Sequence, residues 1–137
     1  MKTLQQGFTL IELIAVMVIV GIIAITASAR FVSTDLARLQ ASRDDLVAAL
    51  FFAQQAAMAQ DNIAVSVSAG GVDVTRDGES IAAHQDAYPL TFPAGVTASA
   101  ANLHYDKLGR TTATSITLSA GGNTATVIVS GSGYAYY

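Results

Sequence analysis

Glu12 is the side chain whose chemistry most needs explaining. It stands in the stretch GFTLIEL, near the start of an apolar run over residues 8–29, and no charged side chain follows it until Arg30. At the centre of a helix in hydrocarbon a carboxylate costs on the order of 2.5 to 3.5 kcal/mol. Something has to recover that cost. Elsewhere the residue types that carry chemistry are dispersed. His84 and His104 have no second ligand at metal spacing, and the chain lacks cysteine, which excludes disulfides, thiolate zinc sites and thiol nucleophiles. No glycine-rich phosphate loop, no Gly-x-Ser-x-Gly elbow and no histidine spaced with a glutamate is present. Asp73, Asp77, Glu79, Asp86 and Asp106 do not follow a calcium-loop pattern. The expectation is therefore a chain that is not an enzyme, with no cofactor and no metal.

Charge narrows the partners. The seven basic residues (Lys2, Arg30, Arg38, Arg43, Arg76, Lys107, Arg110) are scattered and the net charge is -3. Non-specific nucleic-acid binding needs clustered cations that displace counterions, so this layout argues against nucleic acid. The tail SGSGYAYY carries three tyrosines and no cation. Those rings suit an edge strand or a protein interface better than a base-stacking track.

The element that positions Glu12 is long. Residues 8–29 as a helix would cover about 33 Å, enough for a bilayer core. A transmembrane segment is expected there. A secretory signal competes, because Ala27-Ser28-Ala29 has the small-x-small pattern of a cleavage site; the product would be a secreted soluble binding domain starting at Arg30. Its apolar part would be longer than the usual 7 to 15 residues or so, and Glu12 would have no purpose in it. The sequence MKTLQQG followed by FTLIEL resembles instead the leader and N-terminal motif of type IV prepilins and type II secretion pseudopilins. The resemblance implies a leader at 1–7, cleavage after Gly7 by a prepilin peptidase, and N-methylation of the new first residue, Phe8. The spacing is compatible with this: glycine lets a scissile bond approach a protease closely, and Glu12 lies four residues, about 6 Å of helix rise, beyond the freed amine of Phe8. In that family the glutamate meets the amine of a neighbouring subunit as helices pack into a filament. A paired charge in a low-dielectric core costs far less than a lone one, which makes Glu12 an assembly residue. The alternative for Glu12 is snorkelling to the headgroups.

Past Phe31 the apolar residues become periodic. Val32, Leu36, Leu39, Leu46, Leu50, Ala53 and Ala57 recur at helical separations, with Val47, Phe51 and Phe52 widening the stripe and Asp61-Asn62 as the stop. Many prepilin-like chains carry a proline before the Arg-Phe pair; this one has Ala29-Arg30-Phe31, which predicts an unbroken helix over 8–60. After Asn62 the pattern alternates. Residues 63–67 and 72–75 flank Gly70-Gly71, Asp77-Gly78 reads as a tight turn, and Gly121-Gly122-Asn123 joins residues 115–119 to 124–130 in the clearest hairpin. Pro89 and Pro93 restrict Leu90-Thr-Phe92 to an edge or short strand. The fold class expected is α+β: a long N-terminal helix, transmembrane in its first half and amphipathic in its second, packed on a C-terminal antiparallel β-sheet domain over 61–137, pilin-like.

LHYDKLGR (103–110), followed by two strands and Gly131-Ser-Gly133-Tyr134, resembles the C-terminal pattern of minor pseudopilin H and of FimT-type or MSHA-type minor pilins. The two resemblances together imply a minor pilin subunit of a type IV pilus, with an MSHA-type pilus as one candidate and initiation or the tip as its place. The alternative is a minor pseudopilin of a type II secretion system. The implied partners are other pilin or pseudopilin subunits, the prepilin peptidase, an inner-membrane assembly platform and membrane lipid. The implied localisation is the bacterial inner membrane, single-pass with a periplasmic head, and then the pilus or pseudopilus filament.

Overall fold

The computed structural model describes residues 9–28, 33–81 and 88–137 of the chain, which form two compact units divided after Thr34. The first unit contains helix α1, Leu10–Ser28. From Leu10 to Ile23 its leucine, isoleucine, valine and methionine side chains project around the whole circumference, and Leu10, Ile11 and Met17 are among the most exposed. A helix apolar on every side takes its cover from other protein or from lipid. Among the described residues no helix is long and apolar enough to cross a membrane. The 19 residues of α1 rise about 28 Å, just short of a hydrocarbon core of about 30 Å. Phe8 and Ala29, the ends of the expected span, lie outside the described residues, as does the join over 29–32 where an unbroken helix was expected.

The second unit begins within helix α2, Ser33–Ala59, and takes in all of the β-structure. Strong helix formers fill α2, with no glycine or proline to interrupt it. Its buried row is Leu39, Ser42, Leu46, Ala49, Leu50, Ala53 and Ala57, at steps of three or four along one face with Ala49 and Leu50 side by side. Leu36 is exposed, so the row starts at Leu39. Phe51 also points to solvent, while Val47 and Phe52 are half-buried and flank the core as the amphipathic pattern implies. Asn62, three residues past the end of α2, lies in the left-handed region (φ 58), and its side-chain amide donates to Asp77 Oδ1 at 2.6 Å. Asparagine tolerates that backbone better than most residues.

Ser42 is the misfit in this row. It is fully buried, and its hydroxyl has no hydrogen-bond partner among the described residues. Leaving such a group unsatisfied costs about 1 to 3 kcal/mol, and alanine is the better helix former. Ser42→Ala is therefore expected to stabilise the head by about 1 kcal/mol, raising its melting temperature by about 4 to 8 °C. An unchanged melt would mean that the hydroxyl finds water or a partner.

The strands form two antiparallel sheets rather than one. In the first, β1 (Ile63–Ser68) pairs β2 (Gly71–Arg76) with Val65 opposite Val74, and β2 pairs β3 (Glu79–Ser80) and β4 (Leu90–Thr91). The second sheet runs in the order β5 (Thr97–Ala98), β7 (Thr114–Ala120), β8 (Asn123–Val129) and β9 (Ala135–Tyr136). Between β5 and β7 in the chain, β6 (Ala101–His104) returns to the first sheet and pairs β1. Alternation sends Ile63, Val65, Val67, Leu103, Ile116, Leu118, Val127 and Val129 into one core with the buried row of α2. Both tight turns have two consecutive positive φ values, Asp77-Gly78 and Gly121-Gly122, the geometry that matches strand twist. Asn123 belongs to β8 and pairs Ala120, so the second turn is the two glycines alone.

Candidate functional site

Two places gather the residues singled out by sequence. The first is the start of α1. Gly7 and Phe8 lie outside the described residues; Thr9 and Glu12 lie within them. The Glu12 amide donates to the Thr9 carbonyl at 3.1 Å and, over a longer 3.4 Å, to Thr9 Oγ1. Thr9 Oγ1 in turn reaches Glu12 Oε2 at 3.5 Å. Thr-x-x-Glu before an apolar run is the capping-box sequence, and its threonine half is made here: the Thr9 hydroxyl accepts from the Glu12 amide, one of the backbone donors left open by the first helical turn, and itself donates to the Glu12 carboxylate. Glu12 also sits at the positive end of the helix dipole. These local contacts recover part of the cost of a carboxylate within one chain. The signal was readable in the sequence as Thr9-Leu-Ile-Glu12.

The second place is a clasp in the head. Gln54, on α2, donates from Nε2 to the carbonyls of Gly109 at 3.3 Å and Ser132 at 3.0 Å. It thereby joins the loop after β6 to the loop after β8. Those loops also touch directly, since the Thr111 amide donates to the Gly131 carbonyl at 3.3 Å. Gly109 and Gly133 both have positive φ, 71 and 83. A Cβ on Gly133 would collide with the Gly109 carbonyl and come within 2.9 Å of Gln54 Nε2; one on Gly109 would come within 2.8 Å of Met58 Cε. Two of the three glycines of the C-terminal pattern, Gly109 and Gly133, therefore mark close approach, not turns alone. Gln54 had no signal in the sequence, where it falls off the apolar row like any solvated glutamine.

Asp106 builds the first of these loops. Its Oδ1 accepts from the backbone amides of Leu108 and Arg110, both at 2.9 Å, and its Oδ2 accepts from Arg110 Nε at 2.8 Å. These bonds, that from the Arg110 amide foremost, hold the carboxyl below its ordinary 3.8. The folded pKa lies under the unfolded one, so the stabilisation is complete above 3.8 and is lost as pH falls through the lowered folded value. Asp106→Ala is expected to be less stable at neutral pH and to lose less of its remaining stability on acidification. Thermal melts between about pH 2 and 6 measure this, and parallel curves for both proteins would refute it. Beside this loop, burial raises the Tyr105 hydroxyl to about 12, so it stays protonated at neutral pH.

No group of three His, Asp or Glu side chains placed to hold a metal occurs among the described residues. Asp73 is engaged by Ser80 at 2.7 Å, Asp77 by Asn62, and Asp61 by Lys107 at 3.0 Å. His84 and Asp86 lie outside the described residues.

Residues 2–28, a stretch that includes Gly7, Phe8 and Glu12, match the prokaryotic N-terminal methylation motif. The structure is similar to that of the type IV minor pilin FimU from Pseudomonas aeruginosa, with a TM-score of 0.52 and 21% sequence identity over 72% of this chain and 90% of that one. This is a minor-pilin fold. No match was found among curated proteins. The likeness to FimU is one of fold, and the N-terminal methylation motif is a separate finding. In the head, the clasp at Gln54 ties α2 to both glycine-bearing loops.

Proposed function

We propose that the chain is a minor subunit of a type IV pilus. The reading adopted is that the prepilin peptidase cuts after Gly7 and the new N-terminus, Phe8, is methylated. The helix over 8–29 is held in the inner membrane until the subunit joins other pilin subunits through an assembly platform, and Glu12 pairs with a neighbouring N-terminal amine. One observation carries this: a methylation motif and a minor-pilin fold occur in a single chain. Its role is structural, with no step of catalysis assigned to it.

The experiment is the intact mass and N-terminal sequence of the protein from native membranes. A start at N-methylated Phe8 supports the reading. A start at Arg30 would make the protein a secreted soluble domain, and an unprocessed Met1 would remove the peptidase from the account. A minor pseudopilin of a type II secretion system would mature in the same way. The likeness to a pilus subunit favours the pilus, and a deletion strain that loses secretion while keeping its pili would reverse that choice. An MSHA-type pilus, and a place at the tip, are narrower versions of the same proposal.

A further inference from the structure

Met58 stands one helical turn beyond Gln54 on α2, and the two side chains close on Gly109 from the same helix face. A Cβ on Gly109 would lie 2.8 Å from Met58 Cε and 2.9 Å from Gln54 Cγ, so the methionine methyl rests over the glycine α-carbon. Gly109 is buried there, yet Met58 is 56% exposed and open to solvent. The Gln54 amide has two N–H groups for two carbonyls, those of Gly109 and Ser132. A further acceptor beside that amide would draw it away from one of them. Methionine is the side chain that can supply one, because oxidation to the sulfoxide turns a flexible apolar group into a polar one. The chain has three methionines, of which Met17 belongs to α1 and Met1 lies outside the described residues. Met58 is the one in the head.

We propose that Met58 is a site of reversible oxidation and that its sulfoxide releases the Gln54 clasp. This holds whether or not the chain is a pilus subunit. The oxidant is a hydroperoxide. One of its oxygens passes to Sγ as the O–O bond breaks and an S–O bond forms, and water or an alcohol leaves. Sulfur loses two electrons and the peroxide gains them. Reversal takes two thiols, which become a disulfide and carry the oxygen away as water. The new oxygen sits on the atom next to the methyl that touches Gly109. From there it competes for the Gln54 Nε2 hydrogens across the four-residue step, and its polarity disfavours the contact with buried Gly109. The loops after β6 and β8 then lose the side chain that joins both to α2.

The test treats the full chain in maltoside micelles with hydrogen peroxide and follows two readouts: the gain of one oxygen in the peptide that holds Met58, and the melting temperature of the head. Met58 is expected to oxidise at a rate within about tenfold of that of free N-acetyl-methionine, as exposure allows. The oxidised protein is expected to melt about 4 to 8 °C lower, the shift for one lost hydrogen bond. Met58→Leu keeps an apolar contact and has no sulfur, so peroxide should leave its melt within about 2 °C. In Gln54→Ala the clasp is already open, so oxidation should lower that melt by less than about half as much. Methionine sulfoxide reductases with dithiothreitol should restore the wild-type melt. Slower oxidation of Met58 overturns the proposal. So does an oxidised protein that melts with the untreated one, or an equal fall in either variant, which would place the damage elsewhere. If Gln54→Ala has no cooperative melt, reduction decides: recovery of the wild-type melt in step with loss of the Met58 oxygen supports the proposal, and no recovery overturns it.

Discussion

Gly133→Val is expected to lower the melting temperature of the head by about 12 °C or more. Two costs add. A β-branched residue at φ 83 pays about 1 to 2 kcal/mol for left-handed backbone. Its Cβ must also push away the Gly109 carbonyl and the Gln54 amide, and forced shifts of that kind cost about 1 to 3 kcal/mol. A total on the order of 3 kcal/mol corresponds to the shift given, for a domain of about 100 residues. Two controls separate the terms. Gly131, in the same loop, has no positive φ, and its added Cβ would meet nothing nearer than 3.9 Å, so Gly131→Ala should leave the melt within about 2 °C of wild type. Gly122 has φ 83 with open space around it, so Gly122→Ala should pay for the backbone alone, about 1 kcal/mol. If Gly133 and Gly122 variants melted alike, the close approach at the clasp would carry no energy.

Glu12→Ala and Glu12→Gln are expected to reduce incorporation into pili by about tenfold or more while leaving the membrane level of the protein unchanged. The pair of substitutions separates the proposed charge pair from the helix-start contacts with Thr9. Glutamine keeps an oxygen for the capping box with Thr9 but has no charge to offer a neighbouring amine; alanine removes both. Equal losses in the two variants place the effect in the charge pair. Rescue by glutamine would assign it to the helix start, which a cap stabilises by about 0.5 to 2 kcal/mol. Quantifying the subunit in sheared pili against its level in membranes gives the answer.

How much of this was legible beforehand depends on the range of the interaction. The two hairpin turns are made by residues within about four positions of one another, so residue type and spacing were enough to find them; the Thr9–Glu12 contacts at the start of α1 are equally local. Val65 opposite Val74 follows from alternation on each side of a short turn. The helical stripe was readable too, but its edges were not. Leu36 and Phe51 are as hydrophobic as their buried neighbours, and which of them faces the core depends on where the sheets sit. Ser42 shows the converse, a polar residue held inside because the helical repeat brings its position round to the core face.

By itself, then, the sequence determined the local chemistry: an apolar helix opening on a threonine and a glutamate, a methylation motif, a second helix with one buried face, and hairpins set by glycine. The tertiary structure decided what distant residues do to one another. It split the strands into two sheets by returning β6 to β1, because a short strand pairs with whichever edge completes the core. It made Gly133 a close-packed position and left Gly131 an ordinary one, although both are glycines two residues apart. It gave Gln54 two carbonyls to hold, and it set Met58 against Gly109. Each of these joins α2 to loops or strands that lie more than 50 residues away in the chain, or one sheet edge to another, and no periodicity in the sequence encodes such a distance.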